Sequence, residues 1–266
     1  MNKIVNVDCI EGLNQLEDNS VDLCVTSPPY NVGIEYDSWD DTLPIEKYYK
    51  FTKKWISETY RVLKDDGRIA INIPYEINAK KSGDGRIFLV GEYQQIMKEV
   101  GYGFAGIVDL TEDQPHRVKL TAWGSWLSPS APYIYNPKEC IILGYKNQWN
   151  KIDKGKSYFE ETPESKKEFQ DLVYAQWKYR AETRKLTEAN FSLDIPNKAL
   201  KILSYEDDLI LDPFMGSGTT AISCINLNRR YIGFEISKSY YDISIKRVNK
   251  TIRNNLTSKK SEEFWI

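Results

Sequence analysis

Two short segments near the two ends of the chain carry residue types suited to chemistry on a planar amine. The first is Thr26-Ser27-Pro28-Pro29-Tyr30 and the second is Asp212-Pro213-Phe214-Met215-Gly216-Ser217-Gly218-Thr219-Thr220. In the first, a Pro-Pro step fixes φ twice and removes two N–H donors. The Ser27 and Pro28 carbonyls then face outward from a stiff, extended loop, and Tyr30 adds a flat ring. An exocyclic amine on an aromatic base is a poor nucleophile because its lone pair is delocalised into the ring. Two acceptors on its hydrogens would favour a pyramidal nitrogen and free that lone pair. Ser27 (hydroxyl or carbonyl) and the Pro28 carbonyl could be those acceptors. A plain turn after a strand is the competing reading.

The second segment follows the apolar run Leu209-Ile210-Leu211. Glycines let a backbone pass close to a ligand, and a helix starting at Thr219 would present free N–H groups. It is not a Walker loop, because G-x-x-x-x-G-K-[ST] needs a Lys that is absent. Gly216-x-Gly218-x-x-Ala221 matches a shortened dinucleotide fingerprint, and Glu235 stands near where a ribose-binding acid belongs. Three readings stay open: a nicotinamide cofactor, a tight structural turn, and a nucleoside cofactor without pyrophosphate. Asp212 and Phe214 suit the third, since a carboxylate would match a cationic amino-acid moiety. S-adenosylmethionine has that moiety, an adenosine and a sulfonium, and Glu235 could grip both ribose hydroxyls. In-line attack on a sulfonium methyl needs mainly positioning and electrostatic support. A base inside a duplex must be flipped out to reach such a pocket, and Tyr30 would stack on it.

The chain has 266 residues, 41% hydrophobic, and a net charge of −2. That allows one large domain or two small ones. No run approaches the roughly 18 apolar residues of a membrane span. The first residues go straight into a strand-like run, so no signal peptide is expected. Cys9, Cys24, Cys140 and Cys224 are widely spaced and read as buried reduced thiols. With His116 the single histidine, metal or His-triad chemistry has little to draw on. The charge does not advertise nucleic-acid binding, so clustering matters. Residues 145–187 hold ten Lys/Arg and seven acids, interleaved with Trp149, Tyr158, Phe159, Tyr174, Trp177 and Tyr179. That fits a phosphate-tracking, base-contacting surface, and equally a solvated helical one.

The elements that must position these loops alternate. An apolar run at 4–7 precedes a helix at 9–16 broken by Asn19-Ser20, a buried strand at 21–25 and a polar loop at 31–42. Ile45, Tyr48, Phe51, Trp55, Thr59 and Val62 recur at helical spacing. Asp65-Asp66-Gly67 stops that helix, and 68–73 reads as a strand. A helix at 88–100 and a strand near 104–110 follow. Residues 123–136 have little periodicity, 139–145 reads as a strand, and 148–186 is polar and charged. Alternation returns with helices at 196–203, 219–227 and 240–253 and strands at 209–212 and 231–235. The tail from 254 is polar. This pattern predicts an α/β fold with a mainly parallel sheet and helices on both faces. Both loops then sit at carboxyl ends of strands, where ligands gather.

On these motifs the chain resembles the amino-DNA methyltransferase family. The catalytic loop comes first and the cofactor loop last, which resembles the circularly permuted beta group. Val7-Asp8-Cys9-Ile10-Glu11-Gly12-Leu13 is similar to the family's N-terminal segment, whose acid, here Asp8, contacts the cofactor adenine. The likeness covers about 1–110 and 190–250. It implies a Rossmann-like seven-stranded sheet with helices on both faces and a target-recognition insert. Residues 1–110 would be the catalytic part, 111–190 the recognition region, 191–254 the cofactor-binding part and 255–266 a polar tail. Catalysis is implied at Ser27, Pro28, Pro29 and Tyr30. S-adenosylmethionine binding is implied at Asp8, Thr26, Asp212, Pro213, Phe214, Gly216, Ser217, Gly218, Thr219 and Glu235. The segment Asn190-Phe191-Ser192-Leu193-Asp194-Ile195-Pro196 is loosely like the family's His-Pro-rich version, and Phe191 could line the pocket.

Many members acting on N6 of adenine carry Asp or Asn where this chain has Ser27, and Ser is more typical of those acting on N4 of cytosine. The resemblance therefore implies a sequence-specific methyltransferase for cytosine N4 in double-stranded DNA. A restriction-modification system, a cytoplasmic location and a monomer or homodimer go with it, as does a cognate endonuclease that shares the site without binding. The alternatives are adenine N6 by the same mechanism, an NAD-dependent oxidoreductase, and a nucleic-acid binder with an inactive site.

Overall fold

The computed structural model describes residues 2–79, 85–113, 129–132, 134, 136–180, 182, 186–189 and 191–263, with side chains to 257. His116, most of 123–136, Arg184, Lys185, Asn190 and the end of the tail lie outside the described residues. The chain opens with β1 (Asn2–Val5), α1 (Cys9–Leu13), β2 (Val21–Thr26), α2 (Ile45–Val62) and β3 (Leu63–Pro74). A small hairpin, β4 (Ile77–Ala79) and β5 (Gly85–Ile87), leads to α3 (Leu89–Val100), β6 (Gly103–Glu112) and β7 (Glu139–Tyr145). Then come α4 (Pro163–Val173), β8 (Gln176–Tyr179), α5 (Asp194–Leu203), β9 (Leu209–Asp212), α6 (Thr219–Asn226), β10 (Arg230–Phe234) and α7 (Lys238–Glu263).

The main sheet runs β1-β10-β9-β2-β3-β7-β6-β8. The five strands from β1 to β3 are parallel, and β7 is antiparallel to both its neighbours. The expected α/β sheet of seven strands is present, and β8 adds an eighth beside β6. All six residues of β2 are buried, as a strand covered on both faces requires. One face packs on α2 and α3 through Trp55, Ile56, Tyr93 and Met97, and the other on α5 and α6 through Ala199, Leu200 and Ile222. No helix among the described residues is long and apolar enough to cross a membrane. All four cysteines are buried and free.

Four local expectations change. Asp65-Asp66-Gly67 does not separate α2 from a later strand. β3 starts at Leu63 directly after the helix, and the turn residues form a bulge between the pairs Val21–Leu63 and Leu23–Arg68. The polar tail from 254 is helical to Glu263, because α7 meets no Gly or Pro along its length. β7 and β8 both fall within 111–190, so that stretch crosses the main sheet. α4 within it carries an N-terminal signature: Thr162 accepts from Ser165 N, followed by a proline at the first helical position.

The described basic residues of 145–187 do not form one surface. Lys146 donates to the Arg61 and Leu63 carbonyls, and buried Lys151 lies 3.8 Å from Asp22 and 3.7 Å from Asp66. Both stand at the amino ends of β2 and β3, opposite the expected catalytic loop. Lys156, Lys167 and Lys201 are paired with Glu206, Asp171 and Glu168.

The bulge depends on Gly67. A Cβ there would come within 2.7 Å of the Lys64 carbonyl oxygen. Gly67→Ala should therefore lower folding stability by about 1–3 kcal/mol, read as a reduced urea midpoint at unchanged m-value.

Candidate active site

A cleft of about 400 Å³ opens at the carboxyl ends of β2, β9 and β10. It has two halves. Ser27, Pro28, Tyr30, Asn72, Glu139, Tyr179 and Phe191 surround one. Asp8, Trp39, Phe51, Phe214, Gly216, Phe234 and Glu235 surround the other.

In the first half the Pro-Pro loop leaves β2 at Thr26. The Ser27 hydroxyl lies 2.6 Å from the Tyr30 hydroxyl, which also donates to the Asn72 carbonyl at 3.2 Å. These bonds fix the Tyr30 ring, and burial holds its phenol well above the ordinary range. Tyr48 donates to the Pro29 carbonyl at 3.0 Å, and the Ser27 and Pro28 carbonyls have no partner among the described residues. The chain after Tyr30 is tied down by Asp41. Its carboxylate accepts the backbone N–H groups of Asn31, Val32, Gly33 and Ile34 at 2.9–3.0 Å. Asn31, at φ 61°, completes the turn by bonding Leu43 through both side-chain atoms.

In the second half, Glu235 follows β10 directly. Gly216 N donates to its Oε2 and Ser237 N to its Oε1, each at 2.8 Å. One lone pair on each oxygen is left over, and burial raises its pKa despite these bonds. Asp8 caps α1 with Oδ1, which accepts from Ile10 and Glu11 N. Phe51, Trp55 and Phe214 form an edge-packed aromatic wall, extended by Trp39. The Trp39 Nε1–H is buried without a partner among the described residues. Gly216 needs its glycine for a φ of +51° beside this wall. The segment 31–42 also reaches across the mouth. Asp37 Oδ2 accepts from Ser237 and Ser239, each at 2.8 Å, and these bonds, Ser239's first, hold its carboxyl below the usual range.

The structure revises several expected roles. Asp212 does not face the cleft. It is buried, with Oδ1 accepting from Thr26 Oγ1 at 2.7 Å and Phe214 N at 3.0 Å, and Oδ2 accepting from Thr220 Oγ1 at 2.6 Å. With both oxygens bonded inward and burial raising its pKa, it organises the loop and is not placed to meet a cationic ligand. Thr26, also fully buried, holds Asp212. Gly218 lies behind the cleft at φ +84°, where a Cβ would press within 3.0 Å of Ser244 on α7. Ser217 and Thr219 line the cleft, but both hydroxyls bond Arg247 Nη1, at 2.6 and 3.2 Å. Pro213, Phe214 and Phe191 line it as expected from their place in the chain. Trp39, Asp37, Asn72 and Glu139 were not singled out from sequence. They come from a loop without periodicity and from a strand register that no local pattern encodes.

The DNA methylase family profile matches residues 21–246. The Type II methyltransferase M.MjaVI of Methanocaldococcus jannaschii is 38% identical over 187 residues, 69% of this chain and 91% of its own. M.HpaI of Haemophilus parainfluenzae, also a Type II methyltransferase, is 27% identical over 93% of this chain and 74% of its own. A Thermus thermophilus protein described as a putative DNA modification methylase, solved with S-adenosyl-L-methionine, superposes with a TM-score of 0.73 at 22% identity, covering 94% of each chain. The cytosine-N4-specific PvuII DNA methyltransferase gives 0.69 at 17% identity, over 96% of this chain and 93% of its own. At these identities the two structures attest the fold.

Asp41 is the anchor of the segment after Tyr30. Asp41→Ala should leave the sheet intact yet speed amide exchange at residues 31–34 at least about tenfold, the effect of losing roughly 1.5–3 kcal/mol of charge-assisted bonding. Hydrogen exchange followed by mass spectrometry reads this directly.

Proposed function

The chain belongs to the DNA methylase family, and on that premise we propose that it methylates N4 of cytosine in a flipped-out base of double-stranded DNA, using S-adenosylmethionine. One observation carries the reading: a single cleft joins the Ser27-Pro28-Pro29-Tyr30 loop to a half shaped for a nucleoside. The family sets aside the oxidoreductase reading of Gly216 and Gly218. Its Type II relatives support a modification role in a restriction-modification system.

The second half of the cleft fits S-adenosylmethionine on its own chemistry. The spare lone pairs of Glu235 suit the two ribose hydroxyls, in charge-assisted bonds. Asp8 Oδ2 has no partner among the described residues and suits the adenine amine. Trp39, Phe51, Phe214 and Phe234 offer apolar walls, and the orphaned Trp39 N–H can find an acceptor there. When bound, the cofactor supplies an electrophilic methyl on a sulfonium. Ser27 and Pro28 accept the amine hydrogens, so the nitrogen lone pair is aimed across the cleft. Tyr30, fixed at its hydroxyl by Ser27 and Asn72, gives the flipped base a rigid stacking face. The aromatic wall and the bridge from Asp37 to Ser237 and Ser239 restrict water on the cofactor side. The catalytic contribution is thus mainly positioning.

Ser27 favours cytosine N4 over adenine N6, the second reading, because no Asp or Asn side chain stands at that place. DNA reading is assigned to the parts of 111–190 outside β6, β7 and β8.

Incubation with unmethylated genomic DNA and S-adenosylmethionine, followed by nucleoside mass spectrometry, should yield N4-methylcytosine. N6-methyladenine would overturn the choice of base, and neither product would overturn the transfer itself. Glu235→Ala should weaken S-adenosylmethionine binding in calorimetry by about 1.5–3 kcal/mol, roughly 10- to 150-fold. Ser27→Ala should lower turnover while leaving that binding unchanged.

A further inference from the structure

The base side of the cleft holds a carboxyl group for which the proposed transfer has no use. Glu139 opens β7 at the point where β7 pairs with Pro74 of β3 and Leu110 of β6. Asn72 Nδ2 donates to its Oε2 at 3.0 Å and to the Cys140 carbonyl at 3.2 Å, so one carboxyl oxygen is fixed. Oε1 has no partner among the described residues, and Glu139 lines the cleft with Ser27, Pro28 and Tyr30. Asn72 also accepts from Tyr30 through its carbonyl, so one residue orients both the stacking ring and the carboxyl group.

Its described surroundings are short of positive charge. Among the described residues, the ionisable groups facing it are Glu112 on β6, Tyr30, Cys140 and Tyr179, and no lysine or arginine pairs with it. Burial raises its pKa, the Asn72 bond opposes this, and Glu112 adds to the rise.

We propose that Glu139, in its neutral form, donates its O–H to the ring nitrogen beside the amine of the flipped base: N3 of cytosine or N1 of adenine. The inference rests on the base-pocket reading above but not on which of the two bases is the target. Together, the Ser27 and Pro28 acceptors and the Glu139 donor read an amine next to an unprotonated ring nitrogen. Cytosine and adenine both present that edge. Thymine and guanine present a ring N–H at the same place, which would face the Glu139 O–H donor to donor. An ionised carboxylate there would instead repel the ring lone pair.

The test uses Glu139→Gln and Glu139→Ala in the full chain, with unmethylated genomic DNA and S-adenosylmethionine. Gln keeps a neutral donor and can still accept from Asn72. Glu139→Ala should lower kcat/KM for DNA at least about tenfold with S-adenosylmethionine binding unchanged in calorimetry, and Glu139→Gln should restore most of that loss. The wild-type rate should also fall as pH rises through the elevated pKa of Glu139, and the Gln variant should lack this fall. A merely structural role would not move that pH profile. The proposal is overturned if Glu139→Ala matches wild type, if Glu139→Gln loses activity as Ala does, or if Gln retains the wild-type fall. Wild type making no methylated nucleoside would instead defeat the transfer, so the two failures are separable.

Discussion

The cleft depends on one buried carboxylate. Asp212 closes β9, and its neighbour in the sheet is β2, which ends at Thr26. The bond from Thr26 Oγ1 to Asp212 spans 186 residues of chain and ties the ends of the two strands whose loops form the two halves. Burying an ionisable group is costly unless its hydrogen bonds are met inside. Here they are met by Thr26, Thr220 and Phe214 N, all parts of the two loops or of the helix after them. The same bonds that offset that cost therefore set where the Ser27–Tyr30 loop stands relative to the loop from Pro213 to Gly218. Methyl transfer between two bound groups is sensitive to this separation, since a misplacement of about 1 Å can cost on the order of a hundredfold in rate.

A second set of bonds works outward from this centre. Asp41 gathers four backbone N–H groups just beyond Tyr30, and Asp37 bridges from the same segment to Ser237 and Ser239, next to Glu235. The segment that begins just after Tyr30 thus reaches the half of the cleft that holds Glu235. Arg247 from α7 holds the Ser217 carbonyl and hydroxyl, stiffening the glycine turn from behind. Several acidic and basic side chains near the cleft are thereby spent on loop geometry, while Glu235, Asp8 and Glu139 keep carboxyl capacity that the described residues do not use.

Much of this could be read before any coordinates. β7 and β9 fall on the expected residues, and β2 and α2 nearly so, because an unbroken apolar run and a helical repeat are strong local signals. The two loops stood out because Pro-Pro and closely spaced glycines constrain the backbone wherever they occur. Asp212 was assigned the wrong partner: its residue type suggested a ligand, while Thr220 eight residues on and Thr26 far upstream take its oxygens. That pairing follows from β2 and β9 being sheet neighbours, which periodicity does not state. The Asn72–Glu139 contact was hidden for a like reason, since it arises from the antiparallel register of β3 and β7. Asp65-Asp66-Gly67 reads in sequence as the stop of α2 and not as a bulge within β3, because both use the same residues.

The central claim is that Thr26 and Asp212 set the separation of the two halves. Its most direct test is single-turnover methyl transfer by rapid quench, with DNA and S-adenosylmethionine both saturating, in Thr26→Val against Thr26→Ser. Val keeps the shape but loses the hydroxyl, whereas Ser keeps the hydroxyl. A transfer step slowed at least about tenfold in Val and near wild type in Ser is the predicted result. An unchanged rate constant in Val, with both ligands bound, would contradict it.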